Sequence, residues 1–146
     1  MNPEEQTQRY KELQVKSISQ EKLILMLYDG SVKFLNNALE ALKTKKYDVV
    51  NDNLVRVQMI LTELMVSLDL SVGELAASMY AFYQFMYDKL VEGNVKKEAE
   101  PIQEVIEMLL NLREVWVKAL KARKHETRAE KPVKPTTSDS GFDFVG

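Results

Sequence analysis

Across residues 21–42 the apolar side chains recur at steps of three and four without a break. Leu27, Tyr28 and Ser31 continue in phase into Phe34, Leu35, Ala38, Leu39 and Leu42. That is the repeat of a helix, not the alternation of a strand. The pattern runs through Asp29-Gly30, a pair that ordinarily opens a tight turn. Gly30 is therefore expected inside a helix, where it costs about 1 kcal/mol relative to alanine. Residues 21–30 also carry apolar groups on nearly every face. A helix of that kind is buried on more than one side, so a second cover, not always present, is expected over it.

The rest of the chain falls into helices around this one. Asn2 suits an N-cap, with Pro3 at the first helical position and Glu4 and Glu5 in the first turn. A short helix is expected over 3–14. Its apolar strip, Tyr10 and Leu13 with Val15 beyond, is thin and needs a larger surface to lean on. Ser19 caps the second helix, about 20–44, which ends in Lys43, Lys45 and Lys46 where cations suit the helix dipole. In the third helix, about 48–68, Val50, Leu54, Val57, Leu61, Leu64 and Leu68 step by four and three, a coiled-coil seam. Ser71 and Gly73 interrupt the chain. The fourth helix, about 74–92, carries one seam of Leu75, Met79, Phe82 and Met86. Beside it runs a row of Ala76, Tyr80, Tyr83 and Tyr87, and Gly93 is expected to cap the helix in the left-handed region. The fifth, about 98–123, has Pro101 in its first turn and a seam of Ile102, Val105, Leu109, Leu112, Trp116 and Leu120.

Four helices of about 30–39 Å joined by short loops predict an all-α antiparallel up-down four-helix bundle. It forms one domain over 1–124, with the short N-terminal helix laid across an end or a groove. Residues 125–146 are rich in Pro, Ser, Thr and balanced charge and are expected to form a disordered tail. Near its end Phe142, Phe144 and Val145 are a candidate docking cluster.

Composition removes several functional classes. The chain has no cysteine, and His125 is its only histidine. A zinc site and the paired Glu-x-x-His of di-iron bundles both need more ligands than that. No glycine-rich phosphate loop is present. Asp29, Glu63, Glu74 and Glu114 read as caps and ion-pair partners on helix surfaces. No catalytic site, metal or cofactor is expected. The net charge is −2, with no basic stripe to suit nucleic acid. The start of the chain lacks the apolar core of a secretory signal, and no apolar run is long enough to span a membrane. The seven methionines suit either core gap-filling or an adaptable binding surface, and the tyrosine row suits either core or groove.

A resemblance sharpens this. The run Arg9-Tyr10-Lys11, then Gln14-Val15, then residues 17–23 and Leu25-Met26-Leu27-Tyr28-Asp29-Gly30 resembles the N-terminal signature of the FliS-type flagellar export chaperones. The likeness continues through residues 64–69, through Gly73-Glu74-Leu75, Met79-Tyr80 and Tyr83-Gln84-Phe85-Met86, and through residues 112–116. It covers roughly residues 9–120. Gln20 and Lys22 depart from it, because the family usually has Pro and a second acidic residue after the capping serine. The lost capping box and dipole charge are together worth about 1 kcal/mol.

The resemblance implies a non-catalytic bundle of the bacterial cytoplasm. Such a protein holds the disordered C-terminal segment of flagellin in apolar grooves, prevents premature polymerisation and delivers the client to the flagellar export gate. Other flagellar proteins are further candidate partners. It also implies that the N-terminal segment, with the tyrosine matched by Tyr10, covers part of the groove when the client is absent. On this reading Tyr10, Leu13 and Val15 form the cover. Ile24, Leu27, Tyr28 and Ser31 form the groove floor, and Tyr80, Tyr83 and Tyr87 form a wall. The rival reading is a non-catalytic helical interaction or regulatory module with a different protein partner.

Overall fold

In a computed structural model, residues 2–8 and 19–129 are described, with side chains as far as Ala122 except that of Val72. A short helix, α1, covers residues 3–8. Asn2 caps it as expected, its Oδ1 accepting from the Glu5 amide at 2.8 Å. The four long helices are α2 (Gln20–Lys43), α3 (Tyr47–Val66), α4 (Glu74–Lys96) and α5 (Ala99–Ala129), with a single 3₁₀ turn at Leu70–Val72 between α3 and α4. Each long helix packs against its two ring neighbours. α2 lies between α3 and α5, and α4 lies between the same two on the far side. The connections are short, so consecutive helices run antiparallel. The architecture is the expected up-down four-helix bundle.

The core follows the seams read from the sequence on α3 and α5 and departs from them on α4. Val50, Leu54, Val57, Leu61 and Leu64 are buried along α3, and Ile102, Val105, Leu109 and Trp116 along α5. α2 contributes Ile24, Tyr28, Leu35, Ala38 and Ala41. On α4 the buried line is Ala76, Met79, Tyr83, Met86 and Leu90, which takes members from both expected rows. Leu75 and Phe82, expected on the seam, are exposed. A helix that advances 100° per residue drifts across a strict heptad, and the neighbouring helices select the stripe.

The helix ends show which local signals held. Ser19 caps α2, its Oγ accepting from the Lys22 amide at 3.2 Å. α2 closes with Lys45 in the left-handed region (φ 56°). There the amide of Lys46 donates to the Ala41 carbonyl and that of Lys45 to the Leu42 carbonyl, the paired bonds of a Schellman turn. α4 does not stop at Gly93. It continues to Lys96, and Lys97 takes the left-handed position (φ 54°). The reason lies in α5. A Cβ on Gly93 would stand 3.2 Å from Ile102 Cγ1 and 3.5 Å from Pro101 Cβ, so this glycine lets the start of α5 close onto α4. α5 also runs past the domain boundary expected at 124, to Ala129. Lys, Glu, Arg and Ala dominate residues 124–129, and the next proline is Pro132, so nothing stops the helix earlier. The remainder of the expected tail, with Phe142, Phe144 and Val145, lies outside the described residues.

Candidate functional site

The centre of one half of the bundle is polar. Tyr28 Oη on α2 and Tyr83 Oη on α4 share a hydrogen bond of 2.7 Å, and Trp116 Nε1 on α5 donates to Tyr28 Oη at 3.0 Å. All three side chains are buried. Burial pushes the Tyr28 hydroxyl up to about 12. Burial, with the adjoining Tyr28, pushes that of Tyr83 higher still. Both stay neutral and serve as hydrogen-bonding groups that tie three helices at one level. One turn along α2, Ser31 is buried, and its Oγ has no partner among the described residues.

The surface is apolar on particular sides. Met26 on α2 is 59% exposed, and where α2 meets α3 Leu23 is 47% exposed, with Leu27 and Ile60 half-buried. A cavity of about 210 Å³ opens there, lined by Leu23, Ile24, Leu27, Leu64 and Ser67. Further along, the Arg56 guanidinium sits 5.4 Å from the Phe34 ring centre. Between α3 and α4 a second groove holds about 410 Å³, lined by Val55, Gln58, Met59, Thr62, Glu63 and Tyr87. Asn94 reaches across to Asn51 at 2.8 Å and marks its far end. Tyr80 and Val91 extend the α4 wall, and Met59 (64% exposed) and Val66 (75%) crest α3 between the two grooves.

The flank between α2 and α5 is built differently. Arg113 Nε donates to Asp29 Oδ1 at 2.6 Å, and the carboxylate raises the pKa of the guanidinium. Leu25, Val32 and Ile106 beside it are half-buried. The fourth flank, between α4 and α5, is crossed by Lys89 and Glu104 at 3.1 Å and exposes Phe82, Phe85 and Val115.

The residues expected at the site separate. Ile24, Tyr28, Ser31 and Tyr83 point into the core, with at most 3% of their surface exposed. Ile24 alone of these also touches the α2–α3 cavity. Leu27 lines that cavity, and Tyr87 lines the α3–α4 groove with Tyr80 beside it. Tyr10, Leu13 and Val15 lie outside the described residues. Leu23, Val55, Met59 and Val66, which were not among the expected site residues, are also exposed. Val55, Met59 and Val66 carried a signal, because each interrupts the polar face of α3, whose core seam is already complete.

Among the described residues no cluster of three or more His, Asp or Glu could hold a metal, and no helix is long and apolar enough to cross a membrane. What the fold presents is a helical bundle with open apolar grooves, a geometry that receives amphipathic or extended segments of another chain.

The chain belongs to the FliS family of flagellar proteins, which matches residues 2–123. It is 32% identical over 117 residues to the flagellar secretion chaperone FliS of Bacillus subtilis (strain 168), covering 80% of this chain and 87% of that protein. It is 28% identical over 120 residues to the Escherichia coli (strain K12) protein of the same name (78% and 88%). With that of Salmonella typhimurium it shares 31% over 104 residues (70% and 77%).

Proposed function

We propose that this protein is a cytoplasmic, non-catalytic flagellar export chaperone. It holds the disordered C-terminal segment of flagellin in the two grooves flanking α3, keeps the client from polymerising early and delivers it to the export gate. One observation carries the reading: exposed apolar side chains line both sides of α3 and its crest, from Leu23 through Val55, Met59 and Val66 to Tyr80. A bundle with a complete core gains nothing internally from these groups, whereas a client helix lying in a groove would bury them. The names of the relatives support a client of the flagellum. Tyr10, Leu13 and Val15 are proposed to cover part of this surface before the client arrives. A client that folds as it binds spends about 2–5 kcal/mol or more on ordering, which keeps a large contact releasable.

The test is calorimetric titration of the protein with the C-terminal segment of the same organism's flagellin. One-to-one binding with a large negative heat-capacity change is the expected result. No binding by the folded protein rejects flagellin as client.

A further inference from the structure

Gly30 lies in the middle of α2 with helix on both sides. Apart from its two chain neighbours and the adjoining backbone of α2 itself, a Cβ built there meets no atom of the described residues within 4 Å. Gly93 is the contrast, because its missing side chain is filled by Ile102 and Pro101. Packing inside the bundle thus accounts for Gly93 and not for Gly30. An alanine at position 30 would fit and would favour the helix. A glycine on a helix surface suits the close approach of another backbone.

The surroundings point the same way. Leu23 and Met26 stand exposed on the preceding turns. About seven residues back along α2, or about 10 Å at the helical rise, is the cavity lined by Leu23, Ile24, Leu27 and Leu64. On the other side of Gly30 stand Lys33 and Arg56. Among the described residues neither is in an ion pair.

We propose that Gly30 is the crossing point where a helix of the bound client packs against α2 at backbone distance. The inference rests on the chaperone reading and specifies the client segment that fits this groove. That segment is a helix with a large apolar residue seated in the cavity and a small residue (Gly, Ala or Ser) about two turns away over Gly30. A carboxylate lies beyond it, opposite Lys33 and Arg56. The separation of two helix axes depends on the side chains at their contact, so any side chain at position 30 pushes the client outward. Charge complementarity sets the direction in which the client helix lies.

The experiment compares the full chain with Gly30→Ala and Gly30→Leu. Each is melted alone and then titrated with the flagellin C-terminal segment. Gly30→Ala is expected to melt about 2–4 °C higher and to bind about five-fold more weakly. Gly30→Leu is expected to fold and to bind at least about fifty-fold more weakly, the effect of overpacking a close contact. Stability and affinity moving in opposite directions is not the outcome of a merely structural glycine. Wild-type affinity in Gly30→Leu overturns the inference and leaves the space to this chain's own residues or to solvent. A change confined to self-association gives the groove to a second copy and also overturns it. If Gly30→Leu does not fold, Gly30→Ala decides, and a raised melting temperature with unchanged affinity is the overturning result. Failure of the wild type to bind removes the chaperone reading and this inference together, whereas binding kept by the Gly30 variants removes this inference alone.

Discussion

Tyr83 and its neighbours Tyr80 and Tyr87 are the same residue type on one helix, and the bundle uses them in opposite ways. Tyr83 is enclosed and hydrogen-bonded to Tyr28, which in turn accepts from Trp116. Tyr80 is 39% exposed and Tyr87 lines an open groove. Three residues turn a helix by 300° and four by 400°, so Tyr80 and Tyr87 share a stripe that lies to one side of Tyr83. That small angular offset separates a side chain that holds the fold from two that are free to meet a partner. The apolar character of a position therefore does not say whether it stabilises the bundle or serves binding.

Truncating the enclosed member should have the largest effect. Tyr83→Ala removes a buried ring and is expected to cost about 3–5 kcal/mol of stability, read by urea unfolding. A cost below about 1 kcal/mol would mean that the two kinds of tyrosine are not distinct. Tyr87→Ala is expected to reverse the balance. It should weaken flagellin binding at least about ten-fold as a groove anchor, while stability falls by no more than about 1 kcal/mol. Equal losses of stability in Tyr83→Ala and Tyr87→Ala would break the comparison.

Finer changes sharpen it. Tyr83→Phe keeps the ring and deletes the hydroxyl, leaving the buried Tyr28 group short of a partner, at an expected cost of about 1–2 kcal/mol. The core pair also carries a pH signature. Burial raises the Tyr28 pKa from 10.0 to about 12, so the unfolded chain gives up this proton first. The stabilisation by Tyr28 is complete below pH 10 and is lost as pH rises from 10 to about 12. Unfolding followed across that range should show a shallower loss in Tyr28→Phe than in the wild type. The smallest effect has the opposite sign. Ser31→Ala removes a buried hydroxyl that has no partner among the described residues, and should stabilise by about 1 kcal/mol with client affinity unchanged. A loss of affinity would return Ser31 to the binding surface.

The helical fold was legible because its signals are local. The three-four seam of α3, the serine cap at Ser19 and the passage of the helix through Gly30 all rest on period and propensity, and all are present in the structure. The one expected cap that is displaced depends on a neighbour. Gly93 has the chemistry of a left-handed cap, but the approach of Ile102 and Pro101 uses it instead, and Lys97 takes the left-handed position. The groove was only partly legible. Ile24 and Leu27 line the α2–α3 cavity and Tyr87 the α3–α4 groove, while Tyr28, Ser31 and Tyr83 are enclosed in the core. α2 is apolar on so many faces that its inward stripe has no mark in the sequence.

Sequence alone determined that this chain makes long amphipathic helices with more apolar surface than one core can hold, because helical period and capping act within a few residues. It also carried the FliS resemblance. Only the tertiary structure decided which stripe of each helix faces inward and which tyrosines join across the core. It likewise decided that α3 stands between two open grooves while the α2–α5 flank is crossed by Asp29 and Arg113. Those choices depend on the rotation of each helix against partners distant in the chain, and a few tens of degrees carry a side chain from the core to the surface.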